Sequence, residues 1–188
     1  IELGLVGSEM CIRDSVIGEP VGRDTAAAVG LAALLVESED ENAAFALLPA
    51  DHVIEDGAGF RSVLSAAFEA AESDDCLVTI GISPTFPSTG YGYLQKGEEL
   101  NGMTSRSVSV VDRFVEKPDL EKARQYLDSG NYFWNAGMFV WRPPVILKEM
   151  QKHTPSLARG LQELKETWRE IGSLADCMDK VYPSLEKI

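Results

Sequence analysis

The chain has 188 residues, of which 30 are Asp or Glu and 17 are Lys or Arg, giving a formal net charge of −13. That balance excludes a sequence-independent grip on nucleic acid, which needs cations neutralising phosphates along a face, so any phosphate ligand must meet local cations or a metal. The length suffices for one substantial core, and no apolar run approaches membrane-spanning length.

Residues 1–15 differ from everything after them, with neither the pattern of a secretory signal nor a sustained helix or strand period. The run Val6 to Ser15 resembles translated adapter read-through, so a non-native or disordered leader is expected there, with the natural sequence entering near Val16. A poorly ordered native terminus is the alternative. Cys11, Cys76 and Cys177 are widely separated and odd in number, which fits a reducing cytoplasm better than a disulfide framework.

Glu19-Pro20-Val21-Gly22-Arg23-Asp24-Thr25-Ala26 turns out of a short strand into a helix that Asp24 or Thr25 can cap, running through Leu35. Free amides at its start favour anionic ligands, and Arg23 adds a fixed cation. A carboxylate at Glu19 suits guanine, whose edge offers adjacent ring and exocyclic N–H donors, whereas uracil or thymine offers one donor between two carbonyls. The alternative is a surface glutamate beside a helix cap.

Ala44 to Leu48 reads as a buried strand, and Pro49-Ala50-Asp51-His52 follows it immediately. An aspartate placed there can reach an Mg²⁺ ion that also holds nucleotide phosphates, or it can simply cap the next element. His52 is given no role. A helix over Ala58 to Glu72 leads to an apolar run, Cys76 to Ile82, of the kind buried on both faces. Pro84, Pro87, Gly90 and Gly92 mark a loop. Within it, Thr89-Gly90-Tyr91-Gly92-Tyr93 either brings bare backbone against a sugar beside an aromatic wall or is only a glycine-rich bend.

From Val108 a period of two runs to Pro118, so that the carboxylate of Glu116 and the ammonium of Lys117 emerge at a strand terminus. A helix over Leu120 to Ser129 stops at Gly130. In Trp134-Asn135-Ala136-Gly137-Met138-Phe139 the small residues allow close backbone approach beside the Asn135 amide, before Met138 to Trp141 continues as a buried strand. The tail from Pro143 to Met178 is mostly helical. Strands separated by crossover helices predict an α/β domain over 16–188 with a largely parallel sheet.

Taken in order, Glu19-Pro-x-Gly-Arg-Asp-Thr-Ala, Leu48-Pro-Ala-Asp-His, Thr79-Ile-Gly-Ile-x-Pro-Thr-x-Pro-x-Thr-Gly-Tyr-Gly-Tyr, Phe114-Val-Glu-Lys-Pro-Asp and Trp134-Asn-Ala-Gly-Met-Phe resemble the mannose-1-phosphate guanylyltransferase family of sugar nucleotidyltransferases. The resemblance implies a Rossmann-like nucleotidyltransferase fold with a mixed, mostly parallel sheet flanked by helices, and it implies transfer from GTP to mannose 1-phosphate giving GDP-mannose and pyrophosphate. Carried over by position, it makes Asp51 a magnesium ligand and puts Glu19, Arg23 and Thr25 in the nucleotide-binding segment. Gly90, Tyr91, Gly92, Glu116, Lys117 and Asn135 fall on its sugar-phosphate side, with Lys117 steadying the attacking phosphate. A homo-oligomeric full-length parent stays open.

The family's glycine-rich phosphate loop does not occur before Glu19, and the chain stops where the family's Ser-x-Asp segment is expected. Asp24 and Ala27 stand where Asn and Pro are usual. The resemblance therefore implies an incomplete domain with little activity of its own. The rivals are another sugar-1-phosphate nucleotidyltransferase, taking glucose 1-phosphate with UTP or dTTP, and a non-catalytic sugar-nucleotide-binding protein. A nicotinamide-dependent dehydrogenase is disfavoured, because no Gly-x-Gly-x-x-Gly follows an early strand.

Overall fold

The structure, a computed structural model, describes residues 17–100, 102 and 104–188; the leader expected at 1–15 lies outside them. The elements are α1 (Asp24–Glu39), β1 (Phe45–Leu47), α2 (Gly57–Ser73), β2 (Val78–Ile82), β3 (Tyr93–Glu99), β4 (Ser109–Val115), α3 (Leu120–Ser129), β5 (Tyr132–Trp141), α4 (Pro143–His153), α5 (Pro155–Ile171) and α6 (Leu174–Val181), ending in a 3₁₀ turn, Tyr182–Ser184.

The α/β class holds, but the expected mostly parallel sheet does not, because β1, β2 and β3 all pair antiparallel with β5, and β4 pairs antiparallel with β3. The reason lies in β5. Phe139 and Val140 pair with β1 and with β2, so those two strands lie on opposite edges of β5. Both run against β5, so they point the same way, as the crossover helix α2 requires. A later strand has been inserted between them, and each adjacent pair is therefore antiparallel. Trp134 likewise pairs with Ile82 and Tyr93, which places β3 on the β1 edge at the other end of β5.

Burial also departs from expectation. The run Cys76 to Ile82 was expected to be buried on both faces, yet β2 is half-buried at its start and exposed at Gly81 and Ile82. β1 is half-buried throughout, and β4 leaves Val110, Val111 and Phe114 exposed. The densest packing is instead helical. Ala27, Leu31, Leu34, Leu157, Leu161, Cys177 and Tyr182 form one cluster of buried side chains with Trp141, roofing the end of the sheet at Phe45, Leu47 and Phe139. On the opposite face, Ala67 and Ala71 of α2 pack on Val140.

Small residues set the approach of α1 to α5. A Cβ built on Gly30 would lie 2.3 Å from Leu161 Cδ1, and Leu161 is fully enclosed. Gly30→Ala is expected to cost about 1–3 kcal/mol in overpacking, against about 1 kcal/mol that alanine gains over glycine inside a helix. Urea denaturation should therefore show a net loss of stability, with ligand affinity unchanged.

Candidate functional site

The Glu116-Lys117-Pro118-Asp119 segment divides its work residue by residue. Pro118 is buried, and Asp119 caps α3 by accepting the Lys122 backbone N–H at 2.9 Å, a contact that holds its carboxyl below the ordinary range. Gly130 closes the same helix in the left-handed conformation, φ 66°. With the chain fixed on both sides, Lys117 is forced to φ 42°, a strained value for a side-chain-bearing residue and one further crowded by the following proline. Its ammonium lies 3.5 Å from Glu116 Oε1, and both side chains are more than half exposed.

Gly92 meets this segment directly. A Cβ there would stand 2.8 Å from Glu116 Oε2 and 3.0 Å from Phe114 Cζ, so only glycine leaves the carboxylate in place. On its other side the Gly92 carbonyl accepts the Asn135 backbone N–H at 2.8 Å. Asn135 lies within β5 and not before it, contrary to a strand starting at Met138. The strand bulges just beyond it: the step of two positions from Thr79 to Gly81 in β2 is matched by a step of four from Phe139 to Asn135 in β5, and Gly137 has φ 67°. Asn135 Oδ1 stitches that bulge by accepting from the Gly137 N–H at 3.2 Å and from the Thr79 hydroxyl at 3.1 Å. The side-chain NH₂ takes no part in these two bonds.

The bulge also receives the end of β1. Pro49 Cγ would stand 3.5 Å from a Cβ on Gly137, so the turn carrying Asp51 leaves the sheet beside Asn135. The Asp51 side chain is 87% exposed, with His52 Nε2 3.9 Å from its carboxylate. Among the described residues no group of three or more His, Cys, Asp or Glu side chains is placed to hold a metal. A lone exposed carboxylate still fits Mg²⁺, which keeps several waters and takes one or two protein carboxylates together with substrate phosphates.

Gly90 donates its N–H to Ser88 Oγ at 3.2 Å, and the Tyr91 ring stands 5.2 Å from that of Trp134 and 6.4 Å from that of Phe86. The period of two carries Tyr91 to the α3 side of the sheet, with Tyr93 and Trp134, whereas Glu116 and Asn135 lie on the other side. Tyr91 thus packs with Phe86 and Trp134 on the face of the sheet away from Glu116 and Asn135.

Glu19, Arg23 and Thr25 occupy a separate neighbourhood at the start of α1. The Tyr182 hydroxyl donates to Glu19 Oε1, and Lys187 lies 3.6 Å from Asp24. Neither Asp24 nor Thr25 caps the helix; Arg23 holds the cap position without a side-chain hydrogen bond, and Asp24 is the first helical residue, at φ 61°. Thr25 is exposed in the first turn. Burial, reinforced by the hydrogen bond to Glu19 and its charge, pushes the Tyr182 hydroxyl well above the ordinary tyrosine range.

That shift fixes a pH dependence. The folded value is raised, so the contribution to stability is complete below the unfolded value of about 10 and is lost as pH rises beyond it. Tyr182→Phe is expected to cost about 1 kcal/mol near neutrality by removing the bond to Glu19. Its stability should then fall less than that of the parent above about pH 10, as read by denaturant titration at both pH values.

Two contacts were not foreseen: Thr79 is the one polar side chain pointing from β2 at Asn135, and Tyr182 is 163 residues from its partner Glu19. A lone hydroxyl in the apolar run Val78 to Ile82 was a signal for the first. The second had no local signal.

The likeness to known proteins runs through the same segments. A family model described as nucleotidyl transferase matches residues 5–179. The chain is 46% identical over 145 residues to the mannose-1-phosphate guanylyltransferase of Sinorhizobium fredii, covering 76% of this chain and 27% of that protein. To the mannose-1-phosphate guanylyltransferase of Escherichia coli it is 43% identical over 148 residues, covering 78% of this chain and 31% of that protein. A solved structure described as mannose-1-phosphate geranyltransferase from Thermus thermophilus superposes with a TM-score of 0.75 at 34% identity, over 92% of this chain and 47% of that one. Another, described as mannose-6-phosphate isomerase from Helicobacter pylori, superposes with a TM-score of 0.66 at 33% identity, over 78% of this chain and 52% of that one. The chain thus spans about three tenths of the length of these curated relatives, 27% and 31%. With the family model matching far more than half of its residues, the chain belongs to the nucleotidyl transferase family.

Proposed function

We propose that this chain carries the sugar-phosphate side of a mannose-1-phosphate guanylyltransferase, acting on GTP and mannose 1-phosphate to give GDP-mannose and pyrophosphate. The observation that carries the reading is the convergence on Gly92, whose missing side chain makes room for the Glu116 carboxylate and whose carbonyl holds the backbone N–H of Asn135, so that carboxylate and side-chain amide belong to one face of the sheet on either side of β3. Such groups are the partners that sugar hydroxyls require.

In this reading a phosphate oxygen of the sugar phosphate attacks the α-phosphorus of GTP. The new P–O bond forms as the bond to the β-phosphate bridging oxygen breaks, and pyrophosphate leaves with the electron pair. Lys117 steadies the attacking phosphate, and Glu116 and Asn135 hold sugar hydroxyls. Asp51 would hold Mg²⁺, which when bound neutralises charge on the phosphates. Glu19 has its second oxygen available for the guanine N–H donors, since the Tyr182 hydroxyl occupies only one, with Arg23 and Thr25 beside it. The reaction needs no covalent enzyme nucleophile; alignment and charge neutralisation carry it. We place the protein in the cytoplasm, where its thiols stay reduced.

Because the sequence holds no glycine-rich phosphate loop before Glu19, turnover by the 188 residues alone is expected to be low. Binding is therefore the sharper test. Calorimetry should rank GDP-mannose above GDP-glucose and UDP-glucose, and a preference for UDP-glucose would instead support the rival taking glucose 1-phosphate.

A further inference from the structure

Phe114 is 51% exposed at the end of an edge strand, an unfavourable place for a large apolar ring unless something packs on it. Its surroundings are those of the sugar-phosphate side. Register pairs Phe114 with Leu94 and Leu94 with Phe133, and the period of two continues the same face to Glu116, Gly92 and Asn135. A Cβ on Gly92 would stand 3.0 Å from Phe114 Cζ and 2.8 Å from Glu116 Oε2, so ring and carboxylate lie side by side over one glycine. The helical roof covers this face only at the far end of β5, around Phe139 and Trp141, and leaves the Phe114 end open.

A pyranose has two kinds of surface: hydroxyls, which need hydrogen-bonding groups, and patches of C–H, which pack on an aromatic face. Glu116 and Asn135 serve the first. We propose that Phe114 serves the second, as a specificity-determining residue whose exposed ring packs against the C–H face of the pyranose held by those two side chains. The inference rests on the reading of this face as the sugar-phosphate side and adds to it the apolar half of sugar recognition.

The test compares a nucleotide sugar with its bare nucleotide on the full 188-residue chain, using the parent, Phe114→Ala and Phe114→Trp, each first shown folded by circular dichroism and denaturant titration. Phe114→Ala should weaken GDP-mannose about tenfold and leave GDP within about twofold, a tenfold change corresponding to about 1.4 kcal/mol. Phe114→Trp should keep the affinity and add an indole fluorescence change on binding GDP-mannose but not GDP. Equal weakening of both ligands, no weakening of either, or a parent that does not distinguish GDP-mannose from GDP overturns the proposal. If UDP-glucose binds more tightly than GDP-mannose and Phe114→Ala weakens UDP-glucose but not UDP, the guanylyl reading fails while the role of Phe114 stands.

Discussion

Lys117→Gly should leave the protein at least as stable as the parent while weakening GDP-mannose on the order of 10- to 100-fold. Two magnitudes set the stability side. A residue with a side chain held in the left-handed region costs about 1–2 kcal/mol, and glycine removes that cost while adding about 0.5–1 kcal/mol of chain entropy. The binding side follows from losing a charge-assisted hydrogen bond to phosphate, worth about 1.5–3 kcal/mol. Urea denaturation and calorimetry on the same preparation check both. Lys117→Ala is the control: it loses the ammonium but keeps the strain at φ 42°, so it should match the glycine variant in binding and fall below it in stability. A residue whose removal stabilises the fold and disables the ligand site is held there for the ligand. A stability loss with Lys117→Gly would mean that the lysine is a structural contact.

Asn135→Asp should preserve the fold and remove binding. The variant keeps an acceptor for the Thr79 hydroxyl and the Gly137 N–H, so stability should stay within about 1 kcal/mol of the parent. It loses the NH₂ donors and adds a negative charge to the face of the sheet that carries Glu116, which a phosphorylated ligand meets as repulsion, so affinity should fall more than tenfold. Asn135→Ala behaves differently, because it strands the Gly137 N–H in a half-buried bulge, while the Thr79 hydroxyl keeps the Met138 carbonyl at 3.3 Å, and it should cost about 1–3 kcal/mol. The contrast between the variants separates the stitching of β5 from the holding of a ligand. Equal binding by Asn135→Asp and the parent would remove Asn135 from the site.

What could be read beforehand was local. α3 spans Leu120–Ser129 and stops at Gly130, as expected, because the left-handed stop is written in the residue that follows the helix; the Asp119 cap is equally local. The Gly92 and Glu116 motifs were visible for the same reason. The direction of the strands was not, since a period of two is the same whichever way a neighbour runs, and nothing in β5 announces that it will slip between β1 and β2. β3 went unseen because Lys96, Gly97, Glu98 and Glu99 erase the apolar alternation that Tyr93 and Leu94 begin. The exposure of β4 is likewise a property of its place at the edge, outside β3, and not of its sequence. Before α1, Glu19 was singled out for its chemistry, but its hydrogen-bond partner Tyr182 comes from the other end of the chain.

One ligand is proposed to touch Gly92, Glu116, Lys117 and Asn135 together, with the Asp51 turn alongside. Backbone amide shifts recorded by NMR as GDP-mannose is added test it most directly. Perturbations should gather at Gly90 to Gly92, Glu116 to Lys117, Asn135 to Gly137 and the Asp51 turn, saturating with a single dissociation constant. Shifts confined to the groove of about 670 Å³ between α1, α4 and α5, lined by Leu34, Lys148 and Arg159, with the Gly92 region silent, would contradict it.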